Sequence, residues 1–471
     1  MTDQPIRIAV IGSGPAGFYA AGHLLKDGAG GHSINFEVDM FERLPTPWGL
    51  VRSGVAPDHP KIKSVTRVYE KTATHPRFRF FGNVAFGEHI SRDDLLAHYH
   101  AIVYATGSPA DRPLGIPGED LPGSHAATEF VGWYNGHPDH TDLEVDLLSA
   151  ERAVVIGNGN VAIDVARMLV LAPAELAPTD TADHALEVLA RSRVSEVVIL
   201  GRRGPAQAAF TNPELLELGE LSGADVIVEN AELDRALAVA DPGAEENITS
   251  RRNVEILRSY AGRAPAGHPK RIVLRFLLSP AAFLPGEHGR LGSVELVRNE
   301  LVDAGGRLRA QATGERETIH AGLAFRAIGY RGIPLPGVPY DERSGTIPND
   351  GGRILDPASG SPQCGEYVVG WIKRGPSGVI GTNKKDAQET VDAILADLAG
   401  NGDGGAHHEP TEPDAAAVEE LLRERQPQIV TYEGWEAIDR HEKALGEAAR
   451  RPRVKLTTIE DMLRVAAAEE P

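Results

Sequence analysis

The residues with the plainest chemical meaning are two sets of glycines. "IAVIGSGPAGFYAAGHLL", Ile8 to Leu25, sets Gly12, Gly14 and Gly17 between an apolar run and a helix-forming run. "VVIGNGNVAIDVAR", Val154 to Arg167, repeats the device with Gly157, Gly159 and Ala162. In such a loop the first glycine permits a tight turn. The second, with no Cβ, lets a pyrophosphate approach the backbone, and a small third residue lets helix and strand pack closely. The helix that follows presents free N–H groups and a partial positive charge to an anion. Each loop is therefore a cradle for a dinucleotide.

The strands that follow the loops differ. "FEVDMFE" closes on Glu42. A carboxylate there accepts hydrogen bonds from a ribose 2′-hydroxyl and repels a 2′-phosphate, so the first cradle should not hold NADP. "VSEVVILGRRGP" closes on Arg202 and Arg203, which take the place of the carboxylate. Guanidinium groups match a phosphate in charge and geometry. The second cradle is thus suited to the 2′-phosphate of NADP(H). FAD in the first and NADP(H) in the second satisfy both chemistries.

Elements must hold these residues in place. "IRIAVIG" reads as a buried strand, "FYAAGHLLKD" as its helix, and "AIVYATGS" as a later strand ending in a turn. A Pro/Gly-rich loop, "RLPTPWGLVRSGVAPDHP", and a basic helix, "KIKSVTRVYEKTAT", lie between. The proline-rich "DRPLGIPGEDLPG" suits a crossover into a second unit. There "RIVLRFLLSP" and "GSVELVRNELV" read as strands of an added ribbon, and "LAFRAIGYRG" echoes "AIVYATGS". The expected domains are 1–109 and 334–471 for FAD, with 110–333 for NADP inserted between them. "DPASGSPQCG" reads as a surface loop and "NGDGGAHHEPTEP" as a flexible linker, with a helical tail, "DAAAVEELLRERQ", beyond. His407 and His408 have no third ligand nearby, so no metal site is expected.

Composition narrows the class. At 471 residues the chain is too long for one core. Its formal charge of −19 argues against general nucleic-acid binding. No apolar run is long enough for a membrane span, and the glycines and Pro15 break the N-terminal run that could imitate a signal peptide. The single cysteine, Cys364, cannot make an internal disulfide or hold an iron–sulfur cluster. A cytoplasmic location is the expectation. One segment runs against the overall charge. Residues 51–80 carry Arg52, Lys61, Lys63, Arg67, Lys71, Arg77 and Arg79 against Asp58 and Glu70. Such a patch suits an acidic partner.

The order of "GSGPAG", "PTPWGLVRSGVAPDHPKIK", "GNGNVAIDVAR", "GRRGP" and "GWIKRGPSGVIGTNKKDA" resembles the adrenodoxin-reductase-like ferredoxin–NADP⁺ reductases, in particular the actinobacterial NADPH–ferredoxin reductases. The resemblance implies an α/β fold of two Rossmann-type, three-layer domains with the NADP domain inserted into the FAD domain. It implies FAD contacts at the first glycine loop around Ala16, at Glu42, Leu50, Phe86 and Trp371, and at Gly378, Val379 and Ile380. It implies NADP contacts at Arg112, Asn158, Gly159, Asn160, Val161, Arg202, Arg203, Glu214 and again Gly378. His59 and Glu217 match the family's histidine and glutamate near the nicotinamide. The implied activity carries electrons from NADPH through FAD to a ferredoxin, with Lys61, Lys63 and Arg67 in its dock. The glycine turn "GPSG" enters a helix whose N-terminus would stabilise negative charge on a reduced flavin. An absent Cβ at Gly378 would leave room for a nicotinamide. The rival readings are another NADPH-dependent flavoprotein, such as a diaphorase or a monooxygenase, and a protein that binds FAD and NADP without turnover. A glutamate-synthase small subunit would need an N-terminal cysteine-rich region, and here the flavin loop starts at residue 12.

Overall fold

A computed structural model of the chain describes residues 5–26, 35–239, 243, 247–305, 308–400 and 408–468. Two compact units divide it: Met1–Ala110 with Tyr330–Pro471, and Asp111–Gly329.

The first unit is built on a seven-stranded sheet. Its order is Asn349–Asp350, Arg353–Leu355, Pro362–Val368, Ala101–Tyr104, Ile6–Ile11, Phe36–Glu42, Phe78–Gly82. The last five are mutually parallel. They are rich in Val, Ile and Phe and buried on both faces, as parallel strands require. One face packs on the helices Pro15–Leu24 and Thr382–Leu398, through Ile8, Val10, Phe18, Val391 and Ile394. The other face packs Ile11, Phe41 and Ile102 under Leu95, Val418 and Leu422.

The second unit has a six-stranded parallel sheet, in the order Ser124–Ala126, Leu323–Arg326, Arg152–Ile156, Glu196–Gly201, Lys270–Phe276, Ala224–Val228. Alternating residues face opposite ways, and the two faces are covered differently. Val155, Val197, Ile199 and Phe325 pack against helices, among them Asn160–Val170. Val154, Ile156, Val198 and Leu200 pack against a three-stranded antiparallel ribbon, Leu278–Pro285, Leu291–Asp303 and Leu308–His320. The three layers here are thus helix, sheet and ribbon.

Some sequence expectations need correction. "RIVLRFLLSP" is not a single ribbon strand. Its first half, to Phe276, joins the parallel sheet, and only Leu278 onward enters the ribbon. The break is Leu277, at φ 58°, a left-handed turn with no glycine or proline to announce it. Cys364 is exposed but lies in strand Pro362–Val368, not in a loop; its Pro/Gly-rich approach hides a ladder with Ala101–Tyr104. The basic helix is two pieces, Pro60–Lys63 and Thr66–Ala73. Residues 401–407 of the expected linker, His407 included, lie outside the described residues. At His408 and Glu412 the chain is docked: the His408 Nε2 lies 2.6 Å from the Leu96 carbonyl oxygen, and the Glu412 N–H donates to that of Ala97. Among the described residues no helix is long and apolar enough to cross a membrane.

Candidate functional site

In each unit the first strand of the dinucleotide motif lies where the strand order reverses. Ile6–Ile11 has Phe36–Glu42 on one side and Ala101–Tyr104 on the other. Arg152–Ile156 has Glu196–Gly201 on one side and Leu323–Arg326 on the other. Ligands of open parallel sheets bind at the carboxyl ends of strands at such a point.

The two cradles are built with the same bonds. The Gly12 N–H donates to Phe41 O (2.8 Å), and the Gly157 N–H to Leu200 O (2.9 Å). The Ala105 N–H donates to Ile11 O, and that of Ala327 to Ile156 O, both at 2.8 Å. Gly12 and Gly157 have φ of 105° and 127°. A Cβ on Gly12 would meet Ala105 O at 2.7 Å, and one on Gly157 would meet Ala327 O at 2.1 Å. This explains why "YATGS" echoes "RAIGY": each turn sets an alanine carbonyl under the first glycine. A Cβ on Gly17 would lie 2.2 Å from Gly12 O, and Ala162 is fully buried. By contrast, a Cβ on Gly14 would meet nothing within 4 Å, and one on Gly159 would meet only the Ala209 Cβ, at 3.9 Å. The second glycine of each cradle is therefore required by no neighbour within the chain. Helices Pro15–Leu24 and Asn160–Val170 start here without side-chain caps, so the protein leaves their first N–H groups to an anion.

The strand ends separate the two cradles. Glu42 accepts from the Ser13 N–H (3.1 Å), the Ser13 hydroxyl (2.6 Å) and the Leu44 N–H (3.1 Å). A carboxylate has about four lone-pair sites, so capacity remains for a ribose hydroxyl. In the second unit the ladder sets Leu200 level with Phe41, so Gly201 rather than an arginine is level with Glu42. Arg202 and Arg203 follow one and two residues later. This corrects the sequence reading by one position. A Cβ on Gly201 would meet Asn158 Nδ2 at 2.7 Å, so the Asn158 side chain occupies the place a longer residue would need. Arg202 is exposed. Arg203 is half-buried and donates to Gln207 O at 3.3 Å.

Residues 204–211 lie against the second glycine loop. The Ala209 N–H donates to Asn158 O (3.0 Å), and the Thr211 N–H to Asn160 Oδ1 (2.8 Å). They lead into helix Asn212–Leu218, which carries Glu214 and Glu217. Val161 is half-buried at the start of its helix. The Arg112 N–H donates to Gly329 O (3.2 Å), two residues beyond Ala327. Asn158, Gly159, Asn160 and Val161 thus follow the end of strand Arg152–Ile156 and Arg202 and Arg203 the end of its neighbour Glu196–Gly201, with Glu214 on the helix after Thr211 and Arg112 bonded beside the Ala327 turn. Glu217 Oε2 lies 3.5 Å from Nη1 of the buried Arg167.

In the first unit, Trp48 donates its N–H to Ser13 O (3.1 Å), which lays "PTPWGL" on the glycine loop. A Cβ on Gly49 would meet Gly14 Cα at 2.9 Å. Leu50 follows with 42 % of its surface exposed. Phe86 lies in the loop after Phe78–Gly82, edge-on to Tyr104 at 5.6 Å. Gly370 runs so close to Ala16 that a Cβ would meet that methyl at 2.6 Å, and Trp371 comes next. The Trp371 Nε1–H is buried and has no acceptor among the described residues. Gly378, Val379 and Ile380 precede helix Thr382–Leu398, which packs along Pro15–Leu24 and also lacks a side-chain cap. A Cβ on Gly378 would meet Thr382 Oγ1 at 2.6 Å, and its φ is 81°. The local turn alone therefore requires glycine there, whatever stacks against it. Beneath this loop the buried Lys373 holds Asp386 (3.3 Å), Glu389 (2.6 Å) and Thr390 (3.1 Å). His59 is buried and precedes helix Pro60–Lys63.

Sequence reasoning missed Ser13, Trp48 and Ala105. The signal was present: a serine between the glycines, a tryptophan between proline and glycine, and the repeated alanine turn.

Open space at Gly14, spare acceptor capacity on Glu42, uncapped helix N-termini and the unpartnered Trp371 donor together fit a flavin dinucleotide. The space at Gly159 and the arginines after Gly201 fit a 2′-phosphorylated one. Such a fold and pair of cradles define a two-nucleotide oxidoreductase. The model of the pyridine nucleotide-disulphide oxidoreductase family matches residues 6–202. With one cysteine in the chain, an internal redox disulfide is ruled out. The chain is 53% identical over 463 residues to the NADPH-ferredoxin reductase FprA of Mycobacterium tuberculosis, covering 98% of this chain and 99% of that one. It is 40% identical to a mitochondrial NADPH:adrenodoxin oxidoreductase of Arabidopsis thaliana, covering 99% and 96%. The structure of the M. tuberculosis FprA in complex with NADPH matches with a TM-score of 0.90 at 52% identity, over 98% of this chain and 100% of that one. The chain belongs to the NADPH–ferredoxin reductase family.

Proposed function

We propose that the chain is an NADPH:ferredoxin oxidoreductase of the cytoplasm, with FAD in the first cradle and NADPH in the second. The observation that carries this reading is the contrast at the strand ends. Two cradles share their bonds, yet one ends in Glu42 and the other in Gly201, Arg202 and Arg203. When bound, FAD would supply the adaptor chemistry between a two-electron hydride donor, NADPH, and a one-electron iron–sulfur acceptor.

The chain's own residues bind and orient. Gly14 and the N–H groups that follow it receive the FAD pyrophosphate, Glu42 takes a ribose hydroxyl, and Leu50, Phe86 and Trp371 wall the flavin. The N-terminus of Thr382–Leu398, with Gly378, Val379 and Ile380, faces the flavin with positive potential. Asn158, Gly159, Asn160, Val161 and Glu214 hold the NADP backbone with Arg112, while Arg202 and Arg203 select the 2′-phosphate. His59 and Glu217 position the nicotinamide or manage a proton beside it. On this reading residues 1–109 and 334–471 form the FAD domain and 110–333 the NADP domain.

The acceptor docks on the basic surface of helices Pro60–Lys63 and Thr66–Ala73. Lys61, Arg67 and Lys71 are exposed there around Ile62 and Val68, themselves 40 % and 51 % exposed, and Lys63 is half-buried beside them. Apolar and basic side chains exposed on the same two short helices suit an acidic ferredoxin. Arg52 and Arg79 are not part of it. Arg52 is paired with Glu442 and Arg79 with Asp39 inside the unit. The decisive test is the visible spectrum of the purified protein. Flavin bands should bleach with NADPH far faster than with NADH and recover on adding oxidised ferredoxin. A colourless protein, or equal bleaching by both coenzymes, overturns the reading.

A further inference from the structure

The sequence assigns no role to the segment from helix Tyr432–Ala449 onward, and a buried ion cluster ties it to the first cradle. Glu442, on helix Tyr432–Ala449, has a side chain with no exposed surface. Its carboxylate accepts from Arg52 Nη1 (2.9 Å) and Nη2 (2.5 Å), from Arg453 Nη1 (3.0 Å) and from the Leu456 N–H (2.9 Å). The Arg52 guanidinium also lies over the Trp435 ring at 5.3 Å, and Lys455 Nζ donates to the Arg52 carbonyl at 3.2 Å. Burial pushes the Glu442 carboxyl up, but Arg52 and Arg453 outweigh it and hold its pKa below the ordinary value.

Arg52 is four residues beyond Trp48, and Trp48 is strained. A tryptophan at φ 84° is an outlier that persists only where its surroundings impose it. Its ring is wedged against Phe18 (4.6 Å), Tyr69 (5.8 Å) and Trp435 (6.2 Å). The strain has a product: it sets Gly49 against Gly14 and starts the turn that presents Leu50. Trp435, Arg453, Lys455 and Glu442 all come from the tail. They grip the strained segment from its far side.

We propose that Glu442 is a positioning residue for the flavin dinucleotide: through Arg52 it holds the Trp48–Leu50 turn against Gly14, so that the C-terminal tail sets FAD affinity. This rests on the assignment of FAD to the first cradle. If the clamp is released, only part of the population keeps a competent turn, and apparent affinity falls by that fraction.

The test measures the FAD dissociation constant of the full chain by the fluorescence of released flavin on serial dilution. NADPH affinity and the melting temperature of the flavin-stripped protein are measured beside it. Glu442→Gln should weaken FAD binding by about tenfold or more while leaving NADPH affinity unchanged. Asp397→Asn is the control. Asp397 is a comparably buried carboxylate in the same unit, paired with Arg353 at 2.8 Å and remote in sequence from the turn. It should lower the melting temperature similarly yet spare FAD. Equal loss of FAD in both variants, or none in Glu442→Gln, overturns the proposal. Should Glu442→Gln not fold, Lys455→Met decides. It removes the bond to the Arg52 carbonyl, and should weaken FAD binding about threefold if the clamp operates and not at all otherwise. Failure of the unmodified chain to bind FAD would instead defeat the cofactor assignment.

Discussion

Gly14 and Gly17 are three residues apart, one at the cap and one in the first turn of helix Pro15–Leu24, and alanine at each should do opposite things. Gly14 has φ −76° and ψ −177°, which any residue adopts. Replacing glycine at a compatible position gains about 0.4–1 kcal/mol by restricting the unfolded chain. Alanine is a poorer N-cap than glycine, by roughly 0.5–1 kcal/mol. With nothing within 4 Å of the new methyl, these two effects nearly cancel. The flavin-free Gly14→Ala protein should therefore melt within a few degrees of the parent, at about 2–4 °C per kcal/mol for a unit of this size. Its methyl points where the pyrophosphate must come. Displacing one charge-assisted hydrogen bond costs about 1.5–3 kcal/mol, roughly 10- to 150-fold in FAD affinity. At Gly17 the methyl would lie 2.2 Å from the Gly12 carbonyl oxygen, a backbone atom that cannot step aside. Overpacking of this kind costs about 1–3 kcal/mol or more, so flavin-free Gly17→Ala should lose several degrees. Gly159→Ala should behave like Gly14→Ala, with NADPH in place of FAD. Thermal melts of the stripped proteins and fluorescence titrations with each nucleotide decide the matter. If Gly14→Ala destabilises the empty protein as much as Gly17→Ala, or binds FAD normally, the division of labour inferred from the missing Cβ atoms is wrong.

The arginines should contribute unequally. Arg203, half-buried and held by Gln207, should raise the KM for NADPH about 10- to 100-fold when replaced by alanine. Arg202, exposed and salt-screened, should cost only about fivefold, and neither change should alter the KM for NADH. Survival of the NADPH preference in the double variant would refute both roles. At the dock, Lys61→Glu with Arg67→Glu should slow ferredoxin reduction by roughly tenfold at low salt, converge with the parent as salt rises, and leave ferricyanide reduction alone. Equal losses with both acceptors would place the damage elsewhere.

What could be read from the sequence, and what could not, divides by the range of the interaction. The glycine loops, Glu42 and the Arg202–Arg203 pair are local: their chemistry depends on a strand, a turn and a helix that are contiguous in the chain, and the parallel α/β fold follows from the same units. Their register is less local. Which residue stands level with Glu42 is decided by the ladder between neighbouring strands, which sets Gly201 there and Arg202 one residue beyond. Leu277 escaped notice because a left-handed turn at leucine is imposed by the packing around it and not by its own preference. Gly378 shows the reverse error. A glycine that chemistry could explain is already required by Thr382, and only the position of that side chain reveals it. The tail is the extreme case. Glu442 meets Arg52 across 390 residues of sequence, so no window along the chain could pair them. Yet the pairing has a local sign in "PWGLVR", where a tryptophan before glycine takes a conformation it would not choose. A strained residue beside a cofactor loop means that something else holds it, and in this chain the holder is the segment whose sequence said least.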